Sequence, residues 1–192
     1  MNELFPIFLK LSGRQALVVG AGSIAALRVK QLTRAGARVT VIAPEVSAEM
    51  EELAKAGSID LIRREFERDD LSRRYFIVIG ATDDPAAQNA VAEEAERNGI
   101  LCNVVDNPGC SNFYTPAVVE RGDLKIAIST NGRSPFLAAK LRHYLEEAIP
   151  ENAADLTETV GLLRSKLKLE IPGNLEKQKE LVDDFVEKVL KK

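Results

Sequence analysis

The sequence predicts an α/β protein: a parallel sheet with helices on both faces, then a small hairpin-plus-helix segment and a helical C-terminal tail. Three observations lead there. Short β-branched runs alternate with helix-period segments from residue 15 to 105, the order in which βαβ units build a parallel sheet. After Asp106 the alternation stops, and two strand-like runs flank Arg121-Gly122-Asp123, which reads as an antiparallel hairpin. Beyond Pro150 only amphipathic helical spacing remains.

Each element has its own signal. Residues 15–20 form an apolar strand, and a helix follows over 23–35 with Ala25, Val29 and Leu32 on one face and Gly36 as its stop. A second strand spans 37–43. Ser47 can cap a short helix to Ala56, stopped by Gly57. Strands follow at Ser58–Ile62 and Tyr75–Ala81. Asp83 or Asp84 caps a helix that opens on Pro85, the favoured first-turn proline, and ends near Asn98-Gly99. Ile100–Val105 is the last strand of the series. The hairpin strands are expected at Tyr114–Glu120 and Leu124–Ser129, and a helix at about 136–148. In the tail, Leu156, Val160, Leu163 and Leu167 mark one helical stripe and Leu181, Phe185 and Val189 another, with Pro172-Gly173 between them. The expected division is an α/β domain over 1–112, a hairpin-and-helix segment over 113–150 and a helical domain over 151–192.

Length and composition bound the function. A chain of 192 residues can bury a real core, and 45% apolar with 29% charged residues describes a globular protein. A net charge of −3 gives no general reason to expect nucleic acid. The N-terminus lacks a basic n-region and a small-residue cleavage site, and no apolar run reaches membrane-spanning length, so a cytoplasmic protein without membrane partners is expected. Cys102 and Cys110 fit neither a metal pair nor a disulfide scaffold, and no metal site is expected. The apolar faces of the hairpin segment lack cover within so small a unit, which points to a homodimer.

Chemistry concentrates where strands end. Leu17-Val18-Val19 runs into Gly20-Ala21-Gly22-Ser23-Ile24-Ala25. In this G-x-G-x-x-A pattern Gly20 permits the tight turn, Gly22 lets backbone approach a pyrophosphate, and Ala25 lets helix and strand pack closely. The diphosphate would sit on the free N–H groups of the helix start. The acid that usually holds a ribose hydroxyl is absent from the end of the second strand. Glu45, beyond Pro44, is a candidate, or this pair simply starts a loop. Arg38 at the strand's opposite end favours NAD over NADP. Gly80-Ala81-Thr82 leaves room beside a cofactor and offers the Thr82 hydroxyl, while Asp83 and Asp84 read as helix caps. Asp106 closes Asn103-Val104-Val105-Asp106; it is placed to take a proton, or to begin the following turn. Ser129, Thr130 and Arg133, in the loop to Pro135, suit a carboxylated ligand, and Ser134 with Pro135 suits ordinary capping. His143 sits mid-helix with no ligand partner.

As an ordered set these stretches resemble the precorrin-2 dehydrogenase family, the siroheme synthase N-terminal module, some members of which also have sirohydrochlorin ferrochelatase activity. The resemblance runs from about Phe5 to Pro150. It is carried by Phe5-Pro6-Ile7-Phe8-Leu9, the turn at 20–25, Ala37–Pro44, Ala81-Thr82-Asp83-Asp84, Asn103-Val104-Val105-Asp106, Asn112-Phe113 with Pro116-Ala117, and Ala127–Thr130 through Ser134-Pro135. It implies a Rossmann-like NAD-binding fold, a dimerisation segment that includes the hairpin, and oxidation of precorrin-2 to sirohydrochlorin with reduction of NAD. By position, Ser23-Ile24 and Pro44-Glu45 match the family's cofactor-contacting pairs, and Asp106 matches its proposed general base. Arg121, Lys125, Arg133 and Arg142 become candidate partners for the substrate's carboxylates. Asn131 departs from the family, which has glycine there, and Arg133 stands where lysine is frequent. The chain is too short for the methyltransferase domain fused to some relatives. Two alternatives stay open: a bifunctional enzyme that also inserts ferrous iron, and a non-catalytic NAD(H)-sensing dimer.

Overall fold

The structure is a computed structural model that describes residues 4–71, 74–151 and 153–190, with Val189 and Leu190 described as backbone only. Residues 1–3 of the N-terminal stretch, and the Val189 position in the second tail stripe, therefore lie outside the described side chains. Contacts group the chain into two units, Met1–Thr115 and Pro116–Lys192.

The first unit is a parallel sheet of β1 (Gln15–Val19), β2 (Arg38–Ile42), β3 (Asp60–Ile62), β4 (Tyr75–Gly80) and β5 (Leu101–Val104), ordered β3-β2-β1-β4-β5. Its central strands are sealed on both faces, which is why they read as unbroken Val/Ile/Leu runs rather than as alternation. Two apolar clusters divide the core. Ala25, Ala26, Val29 and Leu32 of α1 (Ser23–Arg34) and Met50 of α2 (Ala48–Lys55) belong to one, and Val91 and Ala95 of α3 (Pro85–Asn98) to the other. The sheet is thus covered on both faces, as expected from its strand–helix alternation.

Caps fall where the sequence put them. The Ser47 hydroxyl accepts from the Met50 amide, and the Asp84 carboxylate accepts from the amides of Ala86 and Ala87 at 2.9 and 3.3 Å. Gly99 closes α3 at φ +64°. Two short 3₁₀ turns, Arg68–Asp70 and Pro108–Cys110, carry no periodicity and were not expected.

The second unit pairs β6 (Ala117–Arg121) with β7 (Leu124–Ile128) as an antiparallel hairpin, followed by α4 (Pro135–Ala148), α5 (Ala153–Glu170) and α6 (Leu175–Leu190). The hairpin turn is Gly122-Asp123, and a Cβ on Gly122 (φ +58°) would come within 2.7 Å of Ala154 Cβ. The first hairpin strand starts at Ala117 rather than Tyr114. Pairing begins only at Ala117 opposite Ile128.

Candidate functional site

Four strand exits meet along one edge of the first unit. The ladder continues one step past each strand: Gly20 N donates to Ile42 O at 2.8 Å, Ala81 N to Val19 O at 2.7 Å, and Val105 N to Gly80 O at 2.8 Å. Gly20–Ile24, Pro44-Glu45, Ala81-Thr82 and Asp106 therefore stand side by side at the carboxyl ends of β1, β2, β4 and β5. In open α/β sheets this edge, where the strand order reverses between β1 and β4, is the ligand crevice.

The glycines divide their labour. Gly20 has φ +109°, and a Cβ there would fall 2.1 Å from the carbonyl oxygen of Ala81. It is glycine because two strand exits crowd together. Gly22 has an ordinary φ of −76°, and nothing lies within 4 Å of where its Cβ would be. It is bare next to open space, as a group approaching the backbone requires. Gly22 is also the N-cap of α1 and offers no side-chain oxygen, and the first turn contains no acid. The amides of Ser23 and Ile24 and the positive end of the helix dipole are thus left for an anion. Exposed Ile24 adds an apolar surface at the same place. These features fit a dinucleotide diphosphate.

The second strand delivers its loop to the same spot. Ser47 N donates to Ala21 O at 3.2 Å, tying the Pro44–Ser47 loop to the glycine turn. Glu45 is exposed and forms no hydrogen bond or ion pair among the described residues, so its carboxylate is open to hydroxyl donors. Arg38 opens β2, roughly 15 Å away at the rise of an extended strand. The Thr82 hydroxyl accepts from Asp84 N at 3.3 Å and its carbonyl accepts from Gln88 Nε2 at 2.7 Å, so this residue also shapes the start of α3.

Asp106 is exposed at φ +57°, a conformation that Asp tolerates better than most residues. Asn107 N donates to Val104 O at 3.2 Å, so Asp106 occupies the middle of that turn and does not begin the next one. Residues 111–113 hold this exit in place. Asn112 Oδ1 accepts from Cys102 N at 2.8 Å and Nδ2 donates to Ile100 O at 3.1 Å, so one side chain imitates a neighbouring strand. Ser111 Oγ accepts from Val104 N at 2.9 Å, and Asn103 Nδ2 donates to Phe113 O at 3.1 Å. Cys102 is buried on β5, and burial pushes its thiol up to about 11; it is an inert core residue. Half-buried Cys110 donates its thiol to Asn89 Oδ1 at 3.5 Å.

In the second unit, the loop before α4 is folded on its own hydroxyls. Ser129 Oγ accepts from Asn131 N at 3.2 Å, Thr130 Oγ1 from Ser134 N at 3.0 Å, and Ser134 Oγ from Leu137 N at 3.2 Å. Capping therefore accounts for Ser134. Asn131 adopts φ +54°, a left-handed conformation that asparagine tolerates better than most residues. The basic candidates differ. Arg121 donates to Glu146 O at 2.9 Å, Lys125 pairs with Glu120 at 2.7 Å, and Arg142 with Glu146 at 2.7 Å. Exposed Arg133 has no side-chain partner among the described residues. His143 faces Glu146 at 3.6 Å and is exposed.

Sequence reasoning missed one participant. Ser111 had no motif, because a serine that bonds strand-edge backbone leaves no spacing signal.

Fold and crevice together define a dinucleotide-binding domain of the dehydrogenase type. Comparison with known proteins agrees. Residues 7–117 match the model of an NAD(P)-binding family, and residues 121–148 match the central domain of sirohaem biosynthesis proteins. Over 170 residues the chain is 42% identical to siroheme synthase of Methylococcus capsulatus, covering 88% of this chain and 36% of that protein. Siroheme synthase 1 of Aeromonas salmonicida is 37% identical over 86% of the chain and 35% of its own length. The chain thus spans about a third of the length of these curated relatives. Among solved structures, SirC, a precorrin-2 dehydrogenase, superposes with a TM-score of 0.78 at 31% identity, over 95% of this chain and 89% of that one. The chain belongs to the precorrin-2 dehydrogenase family, which includes the corresponding module of siroheme synthases.

Proposed function

We propose that this chain oxidises precorrin-2 to sirohydrochlorin with NAD as hydride acceptor. The observation that carries this reading is the single crevice at which the open Gly22 turn after β1 and Asp106 after β5 lie on the same sheet edge, with the β4 exit between them. The name of SirC and its superposition over 95% of this chain and 89% of its own support it. NAD supplies the two-electron acceptor. The amides of Ser23 and Ile24 hold its diphosphate, Gly22 gives it room, Pro44-Glu45 takes the adenosine ribose, and Thr82 lines the path toward Asp106. As a hydride leaves the macrocycle, Asp106 accepts the proton lost from it, which extends conjugation while charge stays balanced. The distance of Arg38 from the crevice and the free carboxylate of Glu45 both favour NAD over its phosphorylated form.

Precorrin-2 carries many acetate and propionate groups, and Ser129, Thr130 and Arg133 would bind some of them. Arg133 is preferred over Arg121, Lys125 and Arg142 because those three are already engaged. In functional terms we divide the chain into a cofactor domain at 1–112, a dimerisation segment at 113–150 and a helical domain at 151–192. A homodimer is supported by the exposed Leu137, Leu141 and Tyr144 on one face of α4, beside exposed Phe136. No helix among the described residues is long and apolar enough to cross a membrane. Use of NAD supports our reading of a cytoplasmic enzyme.

The test is NADH formation from precorrin-2. The wild-type chain should produce it, and Asp106→Asn should lower kcat by about 10²–10⁴-fold with NAD affinity retained. No NADH from the wild type would refute the dehydrogenase; a fully active Asn variant would remove Asp106 as base. The same preparation given sirohydrochlorin and ferrous iron reports whether it also acts as a ferrochelatase. NAD binding without either activity would indicate the sensing dimer.

A further inference from the structure

The exits of β4 and β5 separate just where the reaction needs them at a fixed distance. Their ladder ends with Val105 N on Gly80 O, and among the described residues no backbone hydrogen bond joins 81–84 to 106–110 beyond it. Thr82 stands on one exit, on the path of the cofactor, and Asp106 on the other, as the base. A side chain of α3 spans the gap. Gln88 Nε2 donates to Thr82 O at 2.7 Å, and Gln88 Oε1 accepts from Asn107 Nδ2 at 3.3 Å.

The partners dictate how this half-buried amide is turned. A carbonyl can only accept, so Thr82 O must face the NH2 end, which leaves the oxygen for the NH2 group of Asn107. The helix itself has no need of the arrangement. Asp84 already caps the amides of Ala86 and Ala87, and alanine or leucine would suit this position of α3 at least as well. The Asn107 end is firmly held. Its amide donates to Val104 O at 3.2 Å, and its carbonyl accepts from Cys110 N at 3.2 Å and Ser111 Oγ at 3.0 Å. With that main chain fixed, the Asn107 side chain passes position on to its neighbours. Asp106 directly precedes it at φ +57°, a sparsely populated conformation that persists where surrounding bonds hold it. Cys110 Sγ on Asn89 Oδ1, at 3.5 Å, ties α3 to the same turn a second time.

We infer that Gln88 is a positioning residue, setting the separation between the cofactor side of the crevice and the Asp106 carboxylate; the role rests on the dehydrogenase reading above. Hydride and proton leave the same macrocycle, so their two acceptors must be presented together, and a misplacement of about 1 Å can cost about 10²-fold in rate. Gln88 acts through Thr82 and Asn107 and not on the ligands. Its loss should therefore slow the chemical step without weakening either ligand.

The test follows NADH formation from precorrin-2 in a single turnover, with the KM for precorrin-2 from steady state and NAD affinity from calorimetry. The intact wild-type chain is compared with Gln88→Leu, Asn107→Ala and the double variant. Gln88→Leu should form NADH at least about tenfold more slowly. Its KM for precorrin-2 and its NAD affinity should stay within about twofold of wild type. Asn107→Ala should be slowed alike, and the double variant no further than the slower single one, because each change breaks the same link. Should Gln88→Leu not fold, Gln88→Glu keeps the size and the oxygen toward Asn107, opposes the Thr82 carbonyl with a second acceptor, and should be slowed as well. An unchanged rate in a folded variant overturns the role and leaves the dehydrogenase reading intact. Losses that add in the double variant also overturn it, as does a loss confined to NAD affinity, which assigns Gln88 to cofactor binding. A wild type that forms no NADH removes the dehydrogenase reading, and the positioning role with it.

Discussion

Two glycines separated by one residue, Gly20 and Gly22, show how finely residue identity is set at the crevice. Gly20 answers to the protein and Gly22 to the ligand. Gly20→Ala must place a methyl group against the Ala81 carbonyl at positive φ, at a cost of about 3 kcal/mol or more, and should lower the urea midpoint sharply or prevent expression. Gly22→Ala meets no protein atom, so its thermal unfolding should match wild type. Its NAD affinity should nevertheless fall at least tenfold, about 1.4 kcal/mol, by calorimetry. Equal NAD affinity in Gly22→Ala would mean that the diphosphate does not approach this turn. The G-x-G-x-x-A spacing announced both glycines but could not separate their duties, because the clash at Gly20 comes from a strand some 60 residues further on, on the order of a whole βαβ unit.

At the scale of elements, the feature that matters is the guarded edge of β5. An edge strand exposes unpaired amides and carbonyls, and here Ser111, Asn112 and the main chain between them satisfy that edge. Asn112→Ala should leave Cys102 N and Ile100 O unpartnered and destabilise the protein by about 1–3 kcal/mol. Because the same stretch holds the Asp106 turn, kcat should drop while NAD affinity holds; a variant with wild-type stability would show that these bonds are dispensable. The sequence made this strand legible through Leu101–Val104 but not its guard. Side chains that bond backbone follow no helical or strand period, and strand ends are equally unmarked: the apolar run suggests 114, whereas pairing starts at 117.

For the whole molecule, the expected consequence of an apolar α4 face is self-association. Light scattering should return twice the chain mass for wild type, and Leu141→Glu, which puts a charge among Leu137, Phe136 and Tyr144, should return the monomer. A monomeric wild type would remove the dimer. How much the chain declared by itself follows from the range of the forces involved. The strands, helices, caps and glycine turn were legible because their causes are local: β-branched runs, 3.6-residue spacing, Ser47 and Asp84 beside free amides, and Gly99 at positive φ. Parallel order was legible too, since βαβ units leave few other topologies. Only the tertiary structure decided that Glu45 is drawn to the glycine turn by the Ser47–Ala21 bond, and that Asp106 sits within its turn. It alone decided that Arg121, Lys125 and Arg142 are engaged by internal partners. Those facts depend on contacts between residues distant in sequence, for which periodicity and capping carry no record.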